Sequence, residues 1–174
     1  MQMRRKRFVT ALILTCAFVT TAQPARNSSW RPATESELKS LLPARAPVEQ
    51  ERIETEMRTA SGITDGHGKF IAGVVLITAG YSAEGKYSHY FLTQVPLKIG
   101  SFGLTPGAYV IGWKHVEEKL NVNFYEAASG KSLGSIEATL NPSITRVESF
   151  RIWPPGERSV MQIGRFTFSY QIGE

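Results

Sequence analysis

Arg165-Phe166-Thr167-Phe168-Ser169-Tyr170-Gln171-Ile172 sends Phe166, Phe168, Tyr170 and Ile172 to one side of an extended chain, and Arg165, Thr167, Ser169 and Gln171 to the other. A period of two marks a β-strand with one buried face, because successive side chains leave an extended backbone in opposite directions. The pattern reads as the end of a strand running from Ser159 to Ile172. Pro154-Pro155-Gly156 separates it from an earlier strand, Arg146 to Trp153.

The same alternation continues toward the N-terminus. Ala128-Ser129-Gly130-Lys131 reads as a turn joining a strand over Ser132 to Leu140 to one in which Leu120, Val122 and Phe124 share a buried face. Glu117-Glu118-Lys119 turns back to Ala108–Val116, which is entered from Thr105-Pro106-Gly107. Tyr87 to Val95 alternates up to Pro96, which cannot donate to a ladder and should end pairing or mark an edge. Phe70 to Ala79 is apolar on both faces, as a central strand of a two-layer structure is. Asp65-Gly66-His67-Gly68 is a tight-turn signal, since glycine tolerates positive φ. Before it, Ile53, Thr55, Met57 and Thr59 alternate with Arg52, Glu54, Glu56 and Arg58, which suits a half-buried strand; a helix from Pro47 to Met57 is the rival reading. Thr34 with Glu37 makes a capping box, Leu38, Leu41 and Leu42 follow on one face, and Pro43 stops the helix. The expected fold is mainly β: an antiparallel β-sandwich, or alternatively a small β-barrel, of about eight strands with one short N-terminal helix. Residues 1–22 are expected as a signal peptide, 23–46 as a leader with the short helix, and 47–174 as a single β domain.

The signal peptide rests on Arg4, Arg5, Lys6 and Arg7, an apolar stretch from Phe8 to Val19, and small residues before a cleavage point after Ala22. A membrane anchor needs about 20 apolar residues, more than this run contains. Cys16 raises a lipid-anchored alternative, although Thr15 before it fits that poorly. Cleavage removes four of the 20 Lys and Arg, so the formal charge falls from +5 to about +1 against 15 Asp and Glu. The basic balance therefore belongs to the leader and gives no reason to expect nucleic acid as a partner. It also removes the only cysteine, leaving the domain to be held by its core. The expected location is secreted, periplasmic or in the cell envelope, with no transmembrane span after cleavage.

Leu104-Thr105-Pro106-Gly107-Ala108-Tyr109-Val110, Val122-Asn123-Phe124-Tyr125-Glu126-Ala127 and Ser129-Gly130-Lys131-Ser132-Leu133-Gly134 resemble the turns of small secreted β-sandwich modules of the transthyretin-like or carboxypeptidase-regulatory-like type. The resemblance covers about a fifth of the mature chain, in an order unusual for that family. It implies a non-catalytic accessory or binding domain and carries over no functional residue.

Residue chemistry points to no reaction. His67 occupies a turn, His89 shares a face with Tyr87 and Phe91, and His115 lies near a strand end; none falls at short metal-ligand spacing, so neither a metal nor a cofactor is expected. Ser82 lacks the flanking glycine of a nucleophile elbow, and a Ser82–His89–Glu84 grouping has no local support. Asp65 is the only aspartate. No catalytic residue is assigned. Binding draws on flat aromatic groups near the Gly80–Lys86 loop, so the candidate ligand-binding residues are Tyr81, Tyr87, His89 and Tyr90. Trp113 and Trp153 read as core. The expected function is a non-catalytic ligand-binding or accessory module of the cell envelope, its partner an unknown ligand or envelope protein. Alternatives are a small hydrolase or metal-binding enzyme, which two histidines and a glutamate sharing one cleft would favour, and a structural assembly protein pairing through a strand edge.

Overall fold

The computed structural model describes residues 30–78 and 86–173. The expected signal peptide with its cleavage point at Ala22, Cys16 and Tyr81 lie outside these residues. Two-residue β1 (Arg31–Pro32) leads to α1 (Glu35–Leu41), where the capping box forms: the Thr34 hydroxyl accepts from the Glu37 N–H, and the Glu37 carboxylate accepts from the Thr34 N–H at 2.7 Å. Arg31 clamps the same carboxylate at 2.8 Å and, with the Thr34 bonds, holds it down at about 2. Leu38 in this short helix and Leu42 at its C-cap are buried.

Among the described residues there are thirteen strands, with antiparallel pairing throughout. After β1 come β2 (Arg45–Val48), β3 (Glu51–Thr64), β4 (Phe70–Leu76), β5 (His89–Thr93), β6 (Leu97–Ile99), β7 (Phe102–Leu104), β8 (Gly107–Val116) and β9 (Lys119–Glu126). The last four are β10 (Ser132–Leu140), β11 (Glu148–Ile152), β12 (Val160–Gly164) and β13 (Phe166–Ile172). The sheet runs β1-β3-β4-β5-β8-β9-β10-β13-β12-β11, with β2 on β3 and the β6–β7 hairpin on β13. Its last strand comes back beside its start: the Ile152 N–H on β11 donates to Ser61 Oγ on β3 at 3.0 Å. The sheet is thus nearly closed into a barrel, leaving a slit between residues 58–62 and 148–152. Among the described residues, no helix is long and apolar enough to cross a membrane.

The expected eight strands become thirteen for two reasons. Four of the additional strands, β1, β2, β6 and β7, have two to four residues, too few to show a period. The β5 pairing ends at Thr93, ahead of Pro96, and the chain pairs again from Leu97. The fifth arises because Ser159–Ile172 is a hairpin: Ile163 faces Phe166 across Gly164 and Arg165, and Gly164 takes φ +64°. A slip of phase marks the turn, since Met161 and Ile163 face the core on odd positions, and Phe168 and Tyr170 on even ones. The segment Glu51–Thr64 is a strand and not the rival helix.

Two apolar clusters explain why β4 and β5 are buried on both sides. Ile71, Phe91, Ile111, Val122, Phe124, Met161 and Phe168 fill the barrel interior. Ala72, Val74, Leu76, Tyr90 and Val110 point outward beneath α1 and β2, with Leu38, Leu42, Val48 and Ile53 as their cover. Within the expected 23–46 leader with its helix, residues 31–46 are therefore part of the packed fold.

Candidate functional site

At one end of the barrel the inner faces do not meet, leaving a cleft of about 530 Å³. Strand β8 shows how it arises. Its inward residues are Tyr109, Ile111, Trp113 and His115; the first two are buried, Trp113 is half-buried and His115 is exposed. The interior thus grades from packed core to open mouth along one strand. Val75 and Leu76 come from β4, Ser88 from just before β5, His89 from its first position, and Leu120 from the start of β9. The β12–β13 turn contributes Ile163, Gly164 and Phe166, and Val147, Glu148 and Ser149 close the opposite side. Most of this wall is apolar.

His89 lies at the base, 3% exposed. Its Nε2 is 3.2 Å from the Ser149 carbonyl oxygen. A carbonyl only accepts, so the ring proton sits on Nε2 and Nδ1 presents a lone pair. Burial disfavours the charged ring and lowers its pKa from 6.5 to about 4, against a smaller opposing pull from Ser149. The imidazole is neutral at pH 7.

Two features of the neighbouring strands hold that ring. The β11–β12 register slips between Glu148 and Arg151, where Ser149 and Phe150 lie; bulges of this kind re-aim backbone and side chains. Phe150 then reaches across the barrel to lie 5.0 Å from the His89 ring centroid. Gly73 on β4 makes room, since a Cβ there would collide with the Phe150 ring.

Among the described residues, two buried side-chain polar atoms lack a hydrogen-bond partner, His89 Nδ1 and Trp113 Nε1, and both residues line this cleft. His89 pairs with Ile111 across β5 and β8, and Trp113 stands two residues further along β8 on the same face. A buried polar atom without a partner costs about 1–3 kcal/mol. One of these atoms accepts and the other donates.

His115 and Glu148 line the cleft as well, but both are engaged. The His115 ring stands edge-on to Phe166 at 5.5 Å. The Glu148 carboxylate pairs with Arg146 at 2.9 Å and lies 3.6 Å from Arg151. Among the described residues, no group of three or more His, Cys, Asp or Glu is arranged to hold a metal ion.

Of the four candidate residues, the three that are described, Tyr87, His89 and Tyr90, do not form one site. Tyr81 lies outside the described residues. Tyr90 is 5% exposed and sits in the outer cluster, so its ring is core and not an open stacking surface. It neighbours His89 in sequence but leaves the opposite face of β5, as alternation requires. Tyr87 precedes β5, so the alternation that joined it to His89 does not reach it. Its hydroxyl is bonded to the Glu49 carboxylate, and its ring packs on the outer cluster. Lys86 Nζ completes this group, 3.2 Å from Glu49 and 4.9 Å from the Tyr87 centroid. These bonds hold the carboxyl of Glu49 below its ordinary range. The group ties Lys86 and Tyr87, just ahead of β5, to the β2–β3 turn. Of the three that are described, His89 alone lines the mouth cleft.

Trp113, Ser149 and Phe150 are the members that sequence reasoning did not assign. Trp113 was legible as the third of four inward positions on β8. The Ser149–Phe150 bulge has no sequence signal, because it depends on how β11 meets β12. Comparison with known proteins finds no family model, no curated protein and no solved structure that matches this chain.

Proposed function

We propose that this protein is a non-catalytic binding module that takes a small, largely apolar molecule into the mouth of its barrel. The observation that carries this reading is the cleft: at about 530 Å³ it falls within the roughly 300–1,000 Å³ of small-molecule sites, which are apolar with a few polar groups fixing orientation. Its base is rigid, because His89 is held by Ser149 on one side and Phe150 on the other. The basic and apolar start of the chain supports a secreted, periplasmic or cell-envelope setting. The resemblance of residues 104–136 to small secreted β modules supports a binding role there.

The test is a thermal-shift series with fatty alcohols and other apolar compounds, set beside glycans, peptidoglycan fragments and divalent metals. A ligand at 100 times its Kd stabilises by about 2.7 kcal/mol. An apolar class should raise the Tm, and Val147→Arg should abolish the shift; Val147 is 67% exposed at the cleft edge, so folding is not at stake. No shift with any apolar compound, or a shift indifferent to Val147→Arg, refutes the reading.

One observation favours a second reading, a small hydrolase: His89, His115 and Glu148 line the same cleft. It requires p-nitrophenyl butyrate turnover that is lost in both His89→Gln and His115→Gln. The arginine pairing of Glu148 and the acid-shifted, neutral His89 weigh against it, because a general base works best with a pKa near the operating pH.

A further inference from the structure

We propose that the ligand is a neutral amphiphile, an apolar body ending in a hydroxyl or primary amide, whose polar end donates to His89 Nδ1 and accepts from Trp113 Nε1. The inference rests on the mouth-cleft reading above and adds the chemistry of the ligand's head. The Ser149 carbonyl takes the only ring proton of His89, so its second nitrogen can only accept. The indole nitrogen of Trp113 can only donate. Both atoms are buried and without partners, on adjacent strands at neighbouring inward positions.

One hydroxyl or one primary amide satisfies both atoms, since each of these groups donates and accepts. An ether offers only the acceptor and leaves His89 Nδ1 unpaired. A carboxylate offers only acceptors as well, turns its charge toward a lone pair, and is desolvated in an apolar cleft. The base is thus built to prefer an alcohol or amide over the acid of equal length. Sites made to hydrogen-bond a substrate hydroxyl discriminate in this manner, because the analogue without it strands the site's own polar group.

The experiment is displacement of N-phenyl-1-naphthylamine from protein produced from the full chain, at pH 7.4. The competitors are octan-1-ol, its isomer 1-methoxyheptane, and octanoate. Octan-1-ol should compete at least about tenfold better than 1-methoxyheptane, the factor that about 1.4 kcal/mol of hydrogen bonding provides, and octanoate should be the weakest. His89→Leu should collapse the alcohol–ether difference while the probe still binds. Trp113→Phe should weaken alcohol and ether alike.

Equal competition by alcohol and ether in the unaltered protein overturns the inference without needing any variant to fold, and points to a resident water pairing both atoms. Octanoate competing best also overturns it. In either case the cleft remains a binding site. No probe binding, or binding unchanged by Val147→Arg, overturns the cleft reading and this inference with it.

Discussion

Lowering the pH should destabilise this protein through one buried ring. His89 is 3% exposed, and burial lowers its pKa from 6.5 to about 4. In the unfolded chain the same imidazole titrates near its ordinary value. Between about pH 6.5 and 4 the unfolded state therefore binds a proton that the folded state refuses, so stability falls as the pH falls through that interval. Each pH unit of difference between folded and unfolded pKa is worth 1.36 kcal/mol, which gives a loss of about 3 kcal/mol. The groups near the ring do little to offset it: Glu148 is occupied by Arg146 and Arg151, and the Ser149 carbonyl supplies one hydrogen bond. The assay is urea denaturation at pH 7 and pH 4 for the unaltered protein and for His89→Gln, which keeps an amide donor for Ser149. Carboxylates such as Glu37 titrate equally in both proteins, so the difference between the two pH dependences isolates the ring. The unaltered protein should lose about 3 kcal/mol more than His89→Gln over this range. Identical losses would refute the reasoning.

Two further substitutions probe the frame around the cleft. Gly73→Ala should destabilise by about 1–3 kcal/mol, the usual cost of overpacking, because its Cβ meets the Phe150 ring; an unchanged Tm would show that Phe150 is free to move. Gln162→Leu should lower stability by about 3 kcal/mol or more, read as the urea midpoint. The buried Gln162 amide donates to the Arg146 and Gly164 carbonyls at 2.9 and 2.7 Å, and accepts from Trp153 Nε1 at 3.0 Å, so an apolar replacement leaves three part-buried groups without their partner.

Much of the fold follows from local pattern. The alternation in Phe166–Ile172 and Leu120–Phe124, the two-sided apolar run from Phe70, the capping box at Thr34 and the turn at Thr105-Pro106-Gly107 all appear in the structure where the sequence places them. Each is short-range: a period or a turn is written in consecutive residues. Tyr109 illustrates it, its hydroxyl donating to the Thr105 carbonyl at 2.5 Å to tie the strand to the turn that starts it. The β12–β13 turn escapes a reading of Ser159–Ile172 as one strand, and its sequence mark is the phase slip between Ile163 and Phe166.

What sequence alone determined, then, is a chain of antiparallel strands with known inward faces, a short capped helix, and aromatic groups near His89. Whether that sheet splits into two layers or curls into a barrel was decided by tertiary structure, because it depends on β11 meeting β3, residues about ninety positions apart joined by Ile152 and Ser61. The candidate site was decided at the same level. Alternation puts His89 and Tyr90 on opposite faces, but only the barrel makes one face an interior and the other a layer beneath α1 and β2. Only the barrel leaves the lone pair of His89 and the N–H of Trp113 both unpaired in the walls of one mouth, because a hydrogen-bonding deficit is a property of what surrounds an atom, which no stretch of sequence contains.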